Sequence, residues 1–313
     1  MQYRTLGRTG FNVSTLGLGC GGPSRLGQRT GCDADHSVRL VQLAIDLGIN
    51  FIDTAQEYNT EPIVGQAIAS HQRDNLVIAT KVAPRQHNRL IGPDELTDAL
   101  EQSLTQLRTD RIDLYQLHGV LPQDYHHARE HLVPAMLQAR QQGKIRALGI
   151  TEEFNHDLTH RMLQQALADD CWDVMMVGFN ILNQTARATV LQPARDKNIG
   201  ILDMFAVRND LHQPDKLRRT MAALIREGQV DPADIDPDSP LDFLVRPDAA
   251  TSIPDAAYRF CRDEPGVHVV LFGTARPEHL KLNVKSINRP PLPQADRDRL
   301  VQLFANVDSV TGQ

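Results

Sequence analysis

The chain has 313 residues, of which 41% are hydrophobic, a proportion typical of a globular protein and too high for a disordered one. Its 33 lysines and arginines against 39 aspartates and glutamates give a net charge of −6 at pH 7. A chain with this balance lacks the excess of positive charge that nucleic acid or an anionic membrane attracts, so we expect neither as a partner.

Targeting signals and disulfides are also not expected. No apolar run reaches the roughly 18 residues of a membrane-spanning helix, and the N-terminus lacks the basic and apolar stretches of a secretory signal. The four cysteines form no CxxC pair and are too few for a disulfide framework in a chain of this length. These features predict free thiols and a cytoplasmic location.

Short apolar runs alternate with longer amphipathic segments along the chain. The runs show little internal alternation, which is typical of parallel strands buried on both faces. We predict strands at residues 13–18, 50–54, 76–81, 112–118, 146–150, 174–179, 201–204 and 268–272. We predict helices at residues 35–47, 61–70, 93–107, 128–142, 155–168, 186–196, 255–262 and 276–284.

Eight strands, each followed by a helix, predict an α/β fold of the closed (β/α)8 TIM-barrel type, with an open doubly wound sheet as the alternative. Residues 1–14 precede the barrel, and the turn Gly7-Arg8-Thr9-Gly10 predicts that they form a hairpin. We expect one domain over residues 1–313.

Two segments depart from the regular spacing. Residues 208–251 follow the seventh strand, contain no predicted strand and are rich in Asp and Pro. A long insertion at that end of a barrel is either a substrate-covering loop or a passive surface elaboration, and we favour the loop. Residues 290–313 form a tail with one predicted helix near 295–304.

Residues 17–22 match the GxGxxG dinucleotide-binding pattern. That fingerprint requires a helix to begin at the loop, so that the helix N-terminus faces the pyrophosphate. Pro23 follows instead, and no helical pattern begins before Asp33. We therefore interpret the glycines as a loop above the first strand.

Residues 127–131 match HxxEH, in which His127, Glu130 and His131 lie on one helical face. This arrangement is found in zinc hydrolases, because two histidines one turn apart can hold the metal. No downstream carboxylate ligand is evident, and short patterns of this kind recur by chance. A zinc hydrolase remains an alternative from a different functional class, whereas the preferred interpretation includes no metal.

Polar residues stand at or just beyond the ends of successive predicted strands. Asp53 ends the second strand, Tyr58 follows in its loop, Lys81 ends the third strand and His118 the fourth. The carboxyl ends of barrel strands converge on one mouth, so these side chains should meet. A buried Lys81 needs a counter-charge, and Asp53 on the neighbouring strand is the natural partner.

A phenol beside an ammonium group suggests acid–base chemistry. We expect the charge of Lys81 to lower the pKa of Tyr58 from about 10 toward working pH. A phenol tuned in this way acts as a general acid or base in the interconversion of a carbonyl and an alcohol.

The sequence resembles the aldo-keto reductase family over nearly its whole length. The matching blocks are Asp53-Thr54-Ala55 with Tyr58 and the residues up to Gly65, then Lys81, then residues 112–118, 143–151 and 273–283. The resemblance implies a (β/α)8 barrel that uses NADP(H) to reduce aldehydes, ketones or sugars, or to oxidise the alcohols. It implies that Tyr58 donates the proton, that Lys81 and Asp53 support it, and that His118 orients the carbonyl.

The resemblance also assigns cofactor contacts, some of which depart from the family pattern. Thr151-Glu152 stands where the family has Ser-Asn, and Met176 where it often has Gln. Met204-Phe205-Ala206-Val207 replaces an aromatic-Ser-Pro-Leu run. The adenosine end is assigned to Gly273, Thr274, Arg276, His279 and Asn283.

A non-catalytic NADP(H)-binding sensor or scaffold of the same fold is the other alternative. The partner is expected to be a small carbonyl or alcohol, bound among residues 19–28, 83–91, 118–125 and 208–251. Four residues in those loops either favour a polar or sugar-like substrate or are simply solvated charges: Arg25, Arg85, His87 and Arg208.

Overall fold

A closed barrel of eight parallel strands forms the centre of the molecule, which the computed structural model describes over residues 1–313. The strands in chain order are β1 Tyr3–Thr5, β2 Asn12–Ser14, β3 Leu16–Gly19, β4 Phe51–Asp53, β5 Val77–Val82, β6 Arg85–Gln86, β7 Arg89–Leu90, β8 Ile112–Val120, β9 Ile145–Glu152, β10 Val174–Gly178, β11 Gly200–Met204 and β12 Val269–Phe272. Around the barrel the order is β3-β4-β5-β8-β9-β10-β11-β12, and β12 pairs with β3 to close it. The predicted (β/α)8 barrel is confirmed.

Helices surround the barrel. They are α1 Ala34–Asp46, α2 Glu61–Ile68, α3 Pro93–Leu107, α4 Tyr125–His127, α5 Val133–Gln141, α6 Arg161–Ala166, α7 Gln192–Asp196, α8 Asn209–His212, α9 Pro214–Arg226, α10 Ile253–Arg262, α11 Pro277–Ile287 and α12 Gln294–Leu303. A buried cluster of 77 hydrophobic residues fills the space between strands and helices, and a separate cluster of 12 includes the barrel interior. No helix is long and apolar enough to cross a membrane.

The N-terminal hairpin packs against the barrel. Strands β1 and β2 pair antiparallel, as predicted, and Leu6, Phe11 and Val13 belong to the interior cluster. Gly7 has a φ of +48°, and a Cβ there would lie 2.2 Å from the backbone nitrogen of Gly200. Any side chain at position 7 would therefore clash with β11, and only glycine lets the hairpin lie this close to that strand.

Two predicted elements differ from the structure by more than a few residues at their ends. The predicted strand at 13–18 is two strands, since β2 belongs to the hairpin and β3 to the barrel. The predicted helix at 155–168 is only α6, because residues before it turn irregularly and His160 adopts a left-handed conformation with φ of +61°. The Asp157 carboxylate accepts a hydrogen bond from the Met162 backbone N–H and satisfies the start of the shortened helix.

Two predicted helices contain a π-helical turn. Residues 128–132 and 187–191 are π-helical, and α5 and α7 follow them directly. Each of these α-helices has a proline, Pro134 or Pro193, in its first turn. Because proline has no N–H, the preceding turn lacks one ordinary hydrogen bond and widens there.

Residues 208–251 contain no barrel strand, as predicted, but they are not simply a loop. The helices α8 and α9 occupy their first half. Pro214 begins α9, and Leu217, Met221 and Leu224 bury one face of it. The helical spacing of these three residues is present in the sequence. The many Asp and Pro residues that follow favour a loop instead, and they outweigh this pattern over the whole segment.

Residues 17–22 lead into a 3-10 segment, Arg25–Thr30, and α1 begins only at Ala34. No α-helix begins directly after this glycine-rich loop, in agreement with its interpretation as a loop above the first strand.

Candidate active site

Four polar side chains gather at the carboxyl end of the barrel. Asp53 is the last residue of β4, and Lys81 and His118 lie near the ends of β5 and β8. Tyr58 ends a 3-10 turn that follows β4. The convergence of parallel strands thus brings together residues that lie up to 65 positions apart in the chain.

Lys81 and Asp53 form a buried ion pair. The Lys81 Nζ lies 2.6 Å from Asp53 Oδ2 and donates a second hydrogen bond to the Thr54 carbonyl oxygen at 2.8 Å. The other Asp53 oxygen accepts from Gln116 Nε2 at 3.3 Å. We did not single out Gln116 from the sequence, although a polar residue two positions before His118 on a buried strand shares its face.

Tyr58 and His118 are in direct contact. The Tyr58 hydroxyl and His118 Nε2 are 3.0 Å apart, and the two rings meet edge to face at 85°. The Lys81 Nζ lies 5.3 Å from the centre of the Tyr58 ring. Its hydrogen bonds go to Asp53 and Thr54 rather than to the phenol hydroxyl.

The expectation that Lys81 lowers the pKa of Tyr58 is wrong for this structure. Burial raises the pKa of Tyr58 well above its ordinary value, and the charges of Asp53 and Glu57 raise it further, whereas Arg25 opposes the shift. The reason is that Asp53 balances the charge of Lys81 at close range. At neutral pH the phenol therefore keeps its proton.

His118 is neutral. Burial, and then the positive charge of Lys81, lower the pKa of His118 to about 3. Its Nδ1 faces the carboxylate of Glu57 at 3.3 Å. With the hydrogen on Nδ1, the imidazole accepts the Tyr58 hydroxyl hydrogen at Nε2.

Gly21 provides the surface against which the Tyr58 ring packs. A Cβ on Gly21 would lie 2.5 Å from a carbon of that ring, closer than carbon atoms can approach. Sequence reasoning assigned Gly21 only to a loop, because a contact between residues 37 positions apart leaves no local signal.

Glu152 does not present its carboxylate to the mouth. Both of its oxygens lie 2.9 Å from His160 Nδ1, and one also accepts from the Gly178 backbone N–H at 2.8 Å. The Thr151 hydroxyl oxygen accepts from the Gly119 N–H at 2.7 Å. Glu152, predicted as a cofactor contact, is thus buried in a network with His160, which the sequence did not reveal.

The other predicted contacts at this end are mainly apolar. Met176 belongs to the barrel-interior cluster, and Ala206 and Val207 pack into the cluster beneath the helices. Phe205 has a left-handed φ of +74°, and its ring lies 6.3 Å from that of Phe154, centre to centre. None of these side chains has the polar groups that bind a carboxamide.

Arg208 packs over the Phe205 ring, with its guanidinium carbon 4.0 Å from the ring centre. It is 9% exposed and donates to Asn155 Oδ1 at 3.0 Å and Gln313 Oε1 at 2.8 Å. Burial lowers the pKa of Arg208 to about 10. Its partners are neutral groups, so this arginine is held in place by the surrounding protein.

The predicted phosphate-binding end has a free cation. Arg276 precedes α11, is exposed, and has no carboxylate within 4.0 Å. The Thr274 hydroxyl oxygen accepts a hydrogen bond from the Arg276 backbone N–H at 3.1 Å, and His36 Nε2 lies 2.7 Å from the Ala275 carbonyl oxygen. An unpaired guanidinium at a helix N-terminus suits a phosphate group, so this end fits a dinucleotide. His279 and Asn283 follow on α11, exposed and half-buried.

The zinc-hydrolase alternative does not fit the structure. His127 Nε2 lies 2.8 Å from the Ile91 carbonyl oxygen, and this contact occupies it. His131 packs beside the His127 ring, and Glu130 lies against His126. No group of three or more His, Cys, Asp or Glu side chains anywhere in the chain has the geometry to hold a metal ion.

Comparison with known proteins decides the family. The model of the aldo/keto reductase family matches residues 15–304. The chain belongs to the aldo/keto reductase family. It is therefore an oxidoreductase of a family that uses a nicotinamide cofactor.

Similar aldo/keto reductases include bacterial proteins of several kinds. The chain is 35% identical over 160 residues to the uncharacterized oxidoreductase YqkF of Bacillus subtilis, a match that spans 48% of this chain and 49% of that protein. It is 26% identical over 320 residues to an NADH-specific methylglyoxal reductase of Escherichia coli, covering 92% of this chain and 94% of that one. The structure of aldo-keto reductase AKR11C1 from Bacillus halodurans superposes with a TM-score of 0.74 at 24% identity, covering 97% and 96% of the chains, which supports the fold.

Proposed function

We propose that this enzyme reduces a small aldehyde or ketone with NADPH, and that Tyr58 is the proton donor. The observation that carries the proposal is the contact of 3.0 Å between the Tyr58 hydroxyl and His118 above the buried Lys81–Asp53 pair. A phenol donates a hydrogen bond to a carbonyl oxygen, and a neutral imidazole donates a second one when its hydrogen lies on Nε2 rather than Nδ1.

The protein residues act on the carbonyl oxygen. When bound, the reduced nicotinamide supplies the hydride that the carbonyl carbon accepts. Tyr58 donates its hydroxyl proton to the oxygen as negative charge develops there, so that full charge never forms in the pocket. His118 orients the oxygen, and the Lys81–Asp53 ion pair lies beside the Tyr58 ring.

The raised pKa of Tyr58 bears on the direction of the reaction. A phenol that stays protonated at neutral pH holds the proton that reduction requires, and its raised pKa also makes it a weaker acid until the charge developing on the substrate oxygen draws the proton away. Alcohol oxidation requires Tyr58 to accept a proton, so its phenol must first be deprotonated. In the free protein, burial and the charges of Asp53 and Glu57 disfavour this phenolate form.

Arg276 supports NADPH as the cofactor. Its exposed guanidinium stands beside Thr274 at the N-terminus of α11, and a cation in that place is unfavourable unless an anion joins it. A planar guanidinium binds a phosphate through two parallel hydrogen bonds. The similar protein from Escherichia coli is named NADH-specific, so family membership alone does not set this preference.

The Arg276→Ala variant tests the assignment. We expect NADPH binding to weaken by roughly 1.5–3 kcal/mol, the value of a hydrogen bond to a charged group, and NADH binding to change little. Isothermal titration calorimetry with each cofactor measures both. Lys281→Ala, which removes an exposed cation further along α11, is the matched control and should leave both affinities unchanged.

Equal affinity of the unmodified protein for NADPH and NADH would contradict the role of Arg276. An equal loss of both affinities in the variant would contradict it as well.

A cofactor-binding sensor or scaffold is the second candidate. The observation that favours it is the engagement of Glu152 with His160 and the apolar character of Met176, which leave few polar side chains at the nicotinamide end. Tight cofactor binding without turnover on aldehydes, ketones and sugars would support this candidate. In either role we propose a cytoplasmic location.

A further inference from the structure

Arg25 is a cation at the mouth of the barrel, next to Tyr58. It lies in the segment that follows β3 and is half-buried. Its Nη1 donates a hydrogen bond of 3.3 Å to the Tyr58 carbonyl oxygen, and its guanidinium carbon lies 6.0 Å from the centre of the Tyr58 ring. Its charge therefore acts close to the proposed reaction centre.

The neighbouring cations already have partners. Lys81 is paired with Asp53, and Arg85 makes two hydrogen bonds to the Asp124 carboxylate at 3.0 and 2.6 Å. Arg208 is held by two side-chain amides and the Phe205 ring. Arg25 has no carboxylate within 4.0 Å and only one long hydrogen bond, so most of its five N–H groups remain available.

The carboxylate of Glu57 is the competing partner to consider. It lies 3.3 Å from His118 Nδ1 and more than 4.0 Å from the Arg25 nitrogens. Glu57 is therefore associated with the imidazole, and the guanidinium faces the mouth without an anion.

The backbone fixes Arg25 in this position. Arg25 and Leu26 have positive φ values of 44° and 57°, which are rare for residues other than glycine. Leu26 is 1% exposed, and its carbonyl oxygen accepts a hydrogen bond of 2.9 Å from the Ser37 hydroxyl. Strain of this kind persists only where surrounding contacts impose it, and it clusters at functional sites.

We propose that Arg25 binds a carboxylate group of the substrate, so that the enzyme prefers aldehydes or ketones that are also carboxylic acids. This inference rests on the proposed function. The acid group stays unchanged, while the carbonyl carbon gains a hydride and its oxygen gains the Tyr58 proton. The planar guanidinium matches a carboxylate, and a single unpaired cation balances its single charge, whereas a phosphate dianion would need a second one.

The test compares an acid with its ester. 4-Oxobutanoate and methyl 4-oxobutanoate carry the same aldehyde and differ in charge, and NADPH oxidation gives kcat and KM for each. We expect the unmodified enzyme to favour the acid by at least about tenfold in kcat/KM. We expect Arg25→Gln to reduce that preference by about 10- to 100-fold, through a higher KM for the acid, because a hydrogen bond to a charged group has this value.

Two further variants make the result specific. Arg29→Gln removes an exposed arginine from the same segment and should keep the preference for the acid. Arg25→Lys keeps the charge but loses the planar geometry, and should retain part of the preference. Urea unfolding of each variant verifies that the proteins are folded.

Equal kcat/KM values for acid and ester in the unmodified enzyme would overturn the inference about Arg25 and leave carbonyl reduction standing. An equal change of both values in Arg25→Gln would overturn it too. Absence of turnover on every carbonyl tested would instead overturn the proposed function, and the inference with it.

Discussion

Lys81 and Asp53 are each other's counter-charge inside the barrel. Burial raises the pKa of Asp53, and the charge and hydrogen bond of Lys81 oppose that shift. Removing two charges from water is costly, and only their close contact and the added hydrogen bonds of Thr54 and Gln116 offset this cost. The pair supplies a fixed floor for the site, rather than a strong field at Tyr58.

Lys81→Met should destabilise the protein by about 3–5 kcal/mol, because it leaves the Asp53 carboxylate buried without a counter-charge. Adding Asp53→Asn should recover a large part of this loss, since the amide carries no charge. Urea unfolding of the single and double variants at pH 7 measures both effects. Losses that simply add in the double variant would show that the two side chains do not depend on each other.

At the scale of elements, the loop after β3 holds Tyr58 in position. Gly21 gives the ring its space, and Arg25 donates to the Tyr58 carbonyl oxygen. The loop is thus packed against the turn that carries the proposed proton donor. Gly22, which follows Gly21 in this loop, has a φ of +71° and open space where a Cβ would be.

Gly21→Ala should lower kcat by about 10²-fold, because the new methyl group displaces the Tyr58 ring and a shift near 1 Å has an effect of this size. Steady-state kinetics with NADPH and an aldehyde that the enzyme reduces measure the change. Gly22→Ala is the matched control. It should cost roughly 1–2 kcal/mol of stability through its positive φ but keep kcat. A kcat for Gly21→Ala equal to that of Gly22→Ala would contradict the close packing on the ring.

At the scale of the whole molecule, the barrel and the meeting of its strand ends were readable from the sequence. Short apolar runs alternating with amphipathic segments predicted the fold, and the polar residues Asp53, Lys81 and His118 at strand ends predicted where a site would form. Parallel strands impose both results, because they expose their carboxyl ends at one face of the barrel. The sequence of α9 also has the spacing of apolar residues that is typical of a helix, but the Asp- and Pro-rich residues after it favour a loop.

Other features of the site depend on tertiary contacts and leave no local pattern. The network of Glu152 and His160 forms because residues 153–160 turn irregularly before α6, and no local sequence pattern indicates that turn. The raised pKa of Tyr58 results first from burial and then from the charges of Asp53 and Glu57, and both depend on the folded structure rather than on residue type. Sequence reasoning therefore located the residues and mistook one of their electrostatic effects.

Turnover by Tyr58→Phe tests the central claim most directly. NADPH oxidation by the unmodified enzyme and by the variant is measured on the same set of aldehydes, ketones and sugars, and cofactor affinity is measured by calorimetry. We expect the unmodified enzyme to reduce at least one of these carbonyls, and the variant to lose at least ~10²-fold in kcat, the usual effect of removing a general acid, with its cofactor affinity unchanged. A variant that retains nearly full activity, or an unmodified protein that binds NADPH tightly and reduces none of them, would contradict it.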